Sequence, residues 1–413
     1  MKIRALILGA LLLGGAGCEA NAPPREPPVS ASPPASGHPS GAPVLGIDWG
    51  RATSVERPEN NADTVDPSYT GTHPILRIPG QAMMADVIRL PDGGFVAVGY
   101  LPPAWQPAAW TSDDGDDWSL HEMGTIDFTF PVALASGPDG QVVAVGRSGT
   151  LPIAWTSLDG STWEGHSIPL LGSDGVAERM TTVVAGERGY IAGGSAGPEL
   201  LDRHARFWTS TDGRAWEAVA DDAEAFADAE VRAITGFEGG FVAVGVVGTA
   251  QAFTSVVAWI SPDGVTWTRI DDPAFDDGLA VAIAAAPFRG LVAVGSDVER
   301  REAVAWTSPD GRRWTRAARE ASRQHPGGFA WMTDVVGIGD FVIGIGTFQG
   351  LQRGTATSWV THDGTPWERA HTAPIQEQGE FYDITPGGPG AIVVGSFGAP
   401  DSYVPNVWLS PAR

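Results

Sequence analysis

Trp155-Thr156-Ser157-Leu158-Asp159-Gly160-Ser161-Thr162-Trp163 is one copy of a nine-residue pattern, W-T-S-x-D-G-x-x-W, that occurs six times with small variations. The second Trp recurs at intervals of 45 to 53 residues, a period that suits four short strands and their turns. Such a repeat predicts a β-propeller with one copy in each blade. The second Trp of the six copies is Trp118, Trp163, Trp216, Trp267, Trp314 and Trp367.

A seventh copy is divided between the two ends of the chain. Residues 381–411 supply its first three strands, and residues 47–55 contain the missing Trp and a strand. We therefore expect the N-terminal strand to pair with the C-terminal blade and to close an all-β, seven-bladed β-propeller over residues 45–413, because closure removes the exposed sheet edge. This assignment accounts for fourteen of the sixteen Trp, all except Trp105 and Trp331.

The strand order within a blade follows from residue types. The innermost strand is apolar, as in residues 332–336, and the second is a buried β-branched run such as Phe95-Val96-Ala97-Val98-Gly99. The third strand ends in Trp-Thr-Ser, and an Asp-Gly turn leads to the fourth. The Gly that ends the second strand predicts a bend or a close approach of two backbones.

The repeated turn resembles the Asp box, or BNR repeat, of sialidases and other propellers, with one residue fewer between Asp and Gly. The resemblance covers about residues 45–413 and implies that these Asp are structural and lie on the face opposite a functional site. Ser and Asp side chains that bond nearby backbone amides suit this role. The Asp concerned are Asp114, Asp159, Asp212, Asp263, Asp310 and Asp363.

The N-terminal segment reads as an export signal. Lys2 and Arg4 precede a short apolar run that ends in small residues before Cys18, the only Cys of the chain. This resembles the bacterial lipobox, with Gly15 where Leu is usual, and implies that Cys18 is lipidated. Residues 1–17 are then a lipoprotein signal peptide, and the Pro-rich residues 18–44 are a lipidated, extended linker. We expect a membrane-anchored protein of the bacterial cell envelope, periplasmic or surface-exposed; an ordinary signal peptide is the alternative.

Composition excludes several chemistries. One Cys excludes a disulfide framework and an iron–sulfur cluster, and Lys2 is the only Lys, so a mature chain without it lacks Schiff-base chemistry. The net charge of −23 argues against nucleic-acid binding. The eight His show no metal-binding spacing. We expect no cofactor and a monomer.

Three Asp fall on inner strands near the predicted channel: Asp86, Asp334 and Asp383. In repeat register they belong to blades one, six and seven, which are neighbours after closure. Crowded carboxylates could raise one pKa and serve as a proton donor or a cation site. The structural alternative is that each caps a strand or holds water.

Two acidic loops, residues 221–230 and 271–277, should lie side by side on the face opposite the Asp boxes. They could bind calcium or a basic partner, although no calcium-loop motif supports this; the alternative is that they only confer solubility.

Aromatic residues in or beside loops could stack on sugars or anchor a protein, or could pack against the Pro-rich loops. They are Trp105, Tyr100, Tyr69 and Tyr403.

The sialidase resemblance implies a glycoside hydrolase as an alternative function. Sialidases use three Arg to hold the substrate carboxylate, a Tyr–Glu pair as nucleophile and an Asp as acid/base. The candidates here are Arg77, Arg179, Arg232 and Tyr382, with Glu230 as a guess for the glutamate. Arg77 lies too far before its strand, and the family has six blades. We therefore predict a non-catalytic binding or assembly scaffold for an unknown protein or carbohydrate, with a glycosidase and a purely structural envelope protein as the other classes.

Overall fold

The computed structural model comprises a unit from Leu45 to Arg413 and a separate N-terminal unit. The residues it describes are 47, 49–51, 54–57, 81–102, 104–170, 177–197, 203–248, 253–286, 290–317, 329–349, 354–364, 366–370, 379–388, 390–397 and 404–410. The predicted signal peptide, the linker, Cys18, Arg77, Tyr69 and Tyr403 lie outside them. Within this described part, no helix is long and apolar enough to cross a membrane.

Each blade begins with two long strands, which lie closest to the axis of the ring. The innermost strands are β3 (Met83–Arg89), β7 (Thr129–Ser136), β11 (Ala177–Gly186), β15 (Ala229–Phe237), β19 (Gly278–Ala285), β23 (Phe329–Ile338) and β27 (Gly379–Gly387). The second strands are β4 (Phe95–Leu101), β8 (Val142–Ser148), β12 (Gly189–Gly197), β16 (Gly240–Gly248), β20 (Leu291–Asp297), β24 (Phe341–Gln349) and β28 (Gly390–Phe397).

The outer half of each blade is a third strand and a short fourth one. The third strands are β5 (Gln106–Ser112), β9 (Leu151–Ser157), β13 (His204–Ser210), β17 (Phe253–Ser261), β21 (Glu302–Ser308), β25 (Gly354–Thr361) and β29 (Val404–Leu409). The fourth strands are β6 (Asp117–Glu122), β10 (Glu164–Ser167), β14 (Glu217–Ala218), β18 (Thr268–Ile270), β22 (Thr315–Arg316), β26 (Glu368–Ala370) and β1 (Gly50–Arg51). A 3-10 helix, Pro273–Phe275, joins blades four and five.

These strands form seven antiparallel four-stranded units, which confirms the predicted all-β, seven-bladed propeller. In the last blade, Gly50 of β1 pairs with Leu409 of β29, and Arg51 pairs with Trp408. The segment up to Val55 does not all belong to this blade, however. Its second part, β2 (Ser54–Val55), adds a parallel fifth strand to blade one beside β6. The N-terminal segment therefore hydrogen-bonds to two blades.

A glycine ends the regular part of every second strand because the inner strand comes too close for a side chain. Each inner strand has a register shift opposite this glycine, for example between Ala280 and Ala282 opposite Gly295. A Cβ on Gly295 would lie 1.7 Å from the carbonyl oxygen of Leu279. The same contact, at 1.8 to 2.1 Å, occurs at Gly99, Gly146, Gly194, Gly245, Gly346 and Gly395. The glycine of the V-A-V-G motif therefore permits the close backbone approach predicted for it.

The apolar cores lie between blades. Seven clusters of buried residues occur in the described chain, and each joins two neighbouring blades around the ring. The first Trp of every copy is at most 2% exposed, and the second Trp is buried in all copies except Trp163, which is half-buried. Burial of so much aromatic area is the main favourable term that fixes adjacent blades against each other.

The propeller has two faces that differ in their connections. The turn face carries the turns between first and second strands and between third and fourth strands. The loop face carries the loops between second and third strands and the connections to the next blade. Ile47 and Ser410 lie on the turn face, since each adjoins one of its turns in blade seven.

Candidate functional site

The repeated Asp residues on the turn face bond within their own turns. In blade four, Oδ1 of Asp263 accepts hydrogen bonds from the amides of Val265 (2.9 Å) and Thr266 (2.7 Å). Oγ of Ser261 accepts from the amide of Gly264 at 2.8 Å, and the indole of Trp267 donates to the carbonyl of that glycine at 3.0 Å. Equivalent amide bonds hold Asp114, Asp159, Asp212 and Asp310. The turn thus uses its carboxylate to stabilise backbone.

Backbone amides lower the pKa of these carboxyls. Hydrogen bonds from Thr266 and Val265 lower the pKa of Asp263, and equivalent bonds lower those of Asp114, Asp212 and Asp310. At Asp159 burial raises the pKa, but the hydrogen bonds from the amides of Thr162 and Ser161 outweigh burial and lower the pKa to about 2. Blade six departs from the others because Thr361 replaces the serine and accepts from the amide of Gly364 at 3.0 Å. Asp363 lies in that turn.

The channel Asp residues form a chain across blades six, seven and one. Oδ2 of Asp334 accepts from the amide of Ile384 at 3.0 Å, and Oδ2 of Asp383 accepts from the amide of Val87 at the same distance. Oδ2 of Asp86 accepts from the amide of Leu134 in blade two at 2.9 Å. Each carboxylate therefore bonds the inner strand of the following blade.

Asp383 is the central member of this chain. It is buried, and its side chain is hydrogen-bonded to both Asp86 and Asp334. Burial and the two neighbouring carboxylates raise the pKa of Asp383 well above its usual value. Three carboxyl groups that share hydrogen bonds in this way favour a protonated carboxyl at the centre. Among the described residues, no cluster of His, Cys, Asp and Glu has a geometry that could hold a metal ion.

Tyr382 has a glutamate partner that the sequence analysis did not identify. Its hydroxyl donates to Oε2 of Glu380 at 2.9 Å and lies 2.8 Å from Oγ of Ser396. Burial raises the pKa of Glu380, and the bond from Tyr382 opposes this shift in part. Residues i and i+2 of a strand share a face, so this spacing was the available signal.

Arg179 and Arg232 do come together, but around a carboxylate of the protein itself. Glu230 is fully buried, and its Oε2 lies 3.1 Å from Nη2 of Arg179 and 3.5 Å from Nη2 of Arg232. Arg203, which sequence reasoning missed, donates to the same oxygen. Burial raises the pKa of Glu230, but the three guanidinium charges outweigh it, so the pKa is lowered. Glu230 is therefore not a partner of Tyr382, nor an exposed residue of the acidic loop as expected.

A cleft opens on the loop face beside this cluster, between blades two and three. It is small, since the volume that the centre of a water molecule can reach is about 20 Å³. Three arginines from three strand ends line it, Arg147, Arg179 and Arg203, together with the buried Glu178 and Ser195. The two sides of the cleft are joined where the amide of Glu178 donates to the carbonyl of Thr150 at 3.0 Å. Its charged lining residues are three Arg and one Glu, although the chain as a whole is strongly acidic.

Aromatic side chains lie beside the cleft. Tyr100, Trp105 and Phe130 form a cluster with ring centroids 5.2 to 5.9 Å apart. The guanidinium of Arg147 lies over the ring of Phe130, 4.5 Å from its centroid, so the cluster and the cleft share a side chain. The cluster supports the packing alternative for Tyr100, whose ring contacts the other two.

Two loop residues next to the cleft have left-handed backbone. Trp105 has φ of 60° and Phe128 has φ of 55°, which is costly for bulky side chains. Hydrogen bonds fix both residues. The amide of Phe128 donates to the carbonyl of Ala104 and its carbonyl accepts from the amide of Gly149, while the amide of Trp105 donates to the carbonyl of Leu101. The backbone therefore holds the ring of Phe128 in an exposed position at the cost of local strain.

Some carboxylates of the acidic loops bond to the protein itself. Asp221 pairs with His204 at 2.6 Å and Arg206 at 3.5 Å. Asp272 accepts from the amide of Ala274, at the start of the 3-10 helix, and from the amide of Trp314. Both loops lie on the loop face, in consecutive connections between blades. Their carboxylates are partly engaged in these internal bonds.

Comparison with known proteins supports the fold. No protein family and no curated protein matches the sequence. A structure of YCF48 bound to a D1 peptide superposes with a TM-score of 0.51 at 15% identity, covering 80% of this chain and 94% of that one. A Trypanosoma rangeli sialidase complex superposes with a TM-score of 0.51 at 11% identity, and the match covers 87% of this chain but only 58% of the sialidase. A Myceliophteria thermophila Cps50 propeller domain gives 0.49 at 11% identity, with 79% and 96% covered. At identities this low, the two matches with a TM-score of 0.51 establish the fold alone.

Proposed function

We propose that the protein is a non-catalytic scaffold, anchored to the membrane of a bacterial envelope through a lipid on Cys18, that binds a protein partner with its loop face. The observation that carries this proposal is the distribution of exposed apolar side chains. Among the described residues, four of the six large ones lie on the loop face between blades one and three: Ile126, Phe128, Leu151 and Leu170. Exposed apolar groups gathered next to a charged cleft are typical of interaction surfaces.

The geometry of the ring supports the same assignment. Ile47, the first described residue of the propeller, lies on the turn face, opposite the proposed binding surface. The strained backbone of Phe128 also favours a function, because strain persists where the surrounding structure enforces it. YCF48, a propeller of similar fold, is described as bound to a peptide.

A site-specific crosslinking experiment tests the proposal. A photo-crosslinking benzophenone amino acid replaces Phe128 on the loop face, and in a matched variant it replaces Val265 on the turn face; the two residues are 59% and 52% exposed. We expect illumination of intact cells to give a discrete adduct of one partner from position 128 and none from position 265. Equal adducts from both positions, or none from 128, would contradict the proposal. Replacing Cys18 with Ala should release the protein from the membrane fraction.

A glycoside hydrolase is the second candidate because of the Tyr382–Glu380 pair. A hydroxyl that donates to a carboxylate is the arrangement of an activated nucleophile. Tyr382 is buried, however, and Glu230 occupies the arginines that would hold a substrate carboxylate. Turnover of fluorogenic sialosides or other glycosides that is lost in Tyr382→Phe, with the fold intact, would establish the hydrolase and reject the scaffold.

A further inference from the structure

The outer edge of blade one is covered by β2, and the contacts there show what such an edge requires. The amide of Glu56 donates to the carbonyl of Trp118 at 2.9 Å, and Oε2 of Glu56 accepts from the amide of Leu120 at 2.9 Å. The carbonyl of Glu56 accepts from the indole of Trp110 at 3.0 Å. Val55 packs against the apolar cluster that contains Trp118. The added strand thus satisfies the backbone of the edge and the indole of the third strand.

The same edge of blade two is open. Just after β10, the amide of Ile168 donates inward to the carbonyl of Pro152, and amides alternate along an antiparallel strand, so the amide of Gly165 points outward. Gly165 is exposed, and among the described residues neither its amide nor the carbonyl of Trp163 has a partner. The indole of Trp155 has no acceptor in the described chain, and its nitrogen lies 3.5 Å from the place of a Cβ on Gly165. Blade two therefore presents the same groups that β2 satisfies in blade one.

The exposure of apolar side chains agrees with an uncovered edge. Trp118, beside β2, is 2% exposed, whereas its counterpart Trp163 in blade two is half-buried. Two large apolar side chains near the ends of β10 are also exposed, Leu158 by 79% and Leu170 by 38%. An open strand edge that is bordered by exposed apolar groups is a template for pairing with another chain.

Other blades complete or close the same position. In blade four, the indole of Trp259 donates to the carbonyl of Ala225 at 2.9 Å, and blade five has the equivalent bond. In blades three and six, Ala218 and Arg369 stand at the position of Gly165, and the second Trp of each blade is buried. Glycine at this position and a half-buried second Trp therefore coincide in blade two.

We propose that the outer edge of blade two binds an extended segment of another polypeptide as a parallel strand beside β10, in the way that β2 lies beside β6. The segment carries an apolar residue followed by Asp or Glu, like Val55-Glu56. Its carboxylate accepts from the amide of Gly165, its backbone carbonyl accepts from the indole of Trp155, and its apolar side chain lies against Trp163. Main-chain bonds supply affinity, and the two side chains supply the sequence preference. The site lies on the rim of the ring, so it goes beyond the proposed function and does not depend on the loop face.

The probe is a synthetic peptide, acetyl-Ala-Thr-Ser-Val-Glu-Arg-amide, which has the sequence of residues 52–57. The full chain is produced with ¹⁵N-labelled Trp, and the indole N–H signals are followed by NMR during titration with the peptide. We expect the signal of Trp155, assigned with Trp155→Phe, to shift as its indole gains an acceptor. The signal of Trp110 should stay unchanged, because Glu56 already accepts from that indole. Replacing Glu with Gln in the peptide should weaken binding about fivefold, since a neutral acceptor forms a weaker bond.

Gly165→Pro and Gly165→Ala form a matched pair of variants. Proline removes the outward N–H and is tolerated on an edge strand whose amide faces solvent. Alanine keeps the N–H, and its Cβ would be in ordinary contact with Trp155 at 3.5 Å. Leu120 occupies the same position in blade one, where the added strand still binds. We expect Gly165→Pro to weaken peptide binding at least tenfold and Gly165→Ala to retain it, with equal melting temperatures to show that both are folded.

Each contrary result identifies which claim fails. No shift of the Trp155 signal, or equal binding by wild type and Gly165→Pro, overturns the strand site. A shift of the Trp110 signal instead shows that the peptide exchanges with β2, which also overturns it. Equal binding of the Glu and Gln peptides overturns the acidic preference, and a Trp155 shift caused by raising the protein concentration alone assigns the edge to a second copy. If Gly165→Pro does not fold, the Gln peptide and the comparison of Trp155 with Trp110 still decide. The crosslink from position 128 tests the loop face separately.

Discussion

The turn face and the loop face of this propeller use the same kinds of charged residue in opposite ways. On the turn face, five carboxylates of the repeated turn accept amides of their own loops, and the arrangement recurs in blades one to five with little change. On the loop face and in the channel, charges are distributed unequally. Carboxyl groups gather in blades six, seven and one, and arginines gather in blades two to four.

In a repeat protein, this difference distinguishes residues that maintain the fold from residues that are candidates for function. A residue present in every blade satisfies a requirement that every blade shares, such as closing a turn or allowing close strand approach. A residue that departs from the repeat cannot have that role. The departures here are Glu230, Arg232 and Tyr382 on the inner strands, and they form the clusters described above. Functional candidates are therefore found where the repeat is broken.

Gly295→Ala should have the largest effect, because it breaks the shared feature. The new Cβ would lie 1.7 Å from the carbonyl oxygen of Leu279, a backbone atom that cannot move without disrupting the inner strand. We expect a loss of about 5 kcal/mol in the free energy of unfolding, or failure to fold. Gly236→Ala is the control, since a Cβ there meets nothing within 4 Å. Urea denaturation measures both, and similar curves for the two variants would contradict the steric argument.

Glu230→Gln removes the charge at the centre of the loop-face cluster. The variant leaves Arg179, Arg203 and Arg232 without their buried carboxylate, and we expect a loss of about 3 kcal/mol in the free energy of unfolding. Glu164→Gln, in an exposed salt bridge with Arg214, should cost less than about 1 kcal/mol. Thermal unfolding of Glu230→Gln and Glu164→Gln measures the loss of stability in each variant. An unchanged Glu230→Gln protein would show that the cluster contributes nothing to stability.

The two carboxylate environments predict opposite pH dependences. The pKa of Asp383 is raised in the folded state, so its favourable contribution is present below the unfolded pKa and is lost as pH rises through the folded value. Asp383→Asn keeps an acceptor for the amide of Val87 and should be about 1 to 2 kcal/mol more stable than wild type at pH 8, with a smaller difference at pH 4.

The pKa of Asp263 is lowered, so its contribution is present above the unfolded pKa and is lost as pH falls through the folded value. Asp263→Asn should therefore lower stability at pH 8, by about 1 kcal/mol for the weakened amide bonds, and the difference should narrow below pH 4. Urea midpoints measured from pH 3 to 8 test both variants. If Asp383→Asn and Asp263→Asn moved the urea midpoint in the same direction at pH 8, the contrast between the channel and the turn face would be refuted.

Phe128 gives the smallest effect on stability and tests strain on the loop face. Phe128→Gly removes a side chain from left-handed backbone and should raise the free energy of unfolding by about 1 kcal/mol relative to Phe128→Ala, which keeps a Cβ there. Both variants should lose the binding that the exposed ring provides. Differential scanning calorimetry compares the stabilities, and a glycine variant no more stable than the alanine variant would exclude strain at this position.

Much of the fold could be predicted from residue patterns, while the site could be predicted only in part. The regular spacing of Trp and of Asp-Gly indicated seven blades, and register placed Asp86, Asp334 and Asp383 in adjacent blades. The burial of Glu230 could not be predicted, because residues 221–230 look like one exposed acidic loop until the start of β15 is known. Arg203 lies outside the repeated motifs, so its approach to Glu230 left no pattern in the sequence.

The sequence by itself determined the blade, because strand alternation, Asp-Gly turns and glycine at the bulge are requirements of local backbone geometry that recur with each copy. Only the tertiary structure decided that β2 joins blade one and which charges share a cleft. The pairing of β2 with β6, like the contact of Arg147 with Phe130, depends on how the ring curves in space. Contacts between distant residues and the degree of burial are set by packing, and packing also sets the pKa of Asp383 and the partners of Glu230.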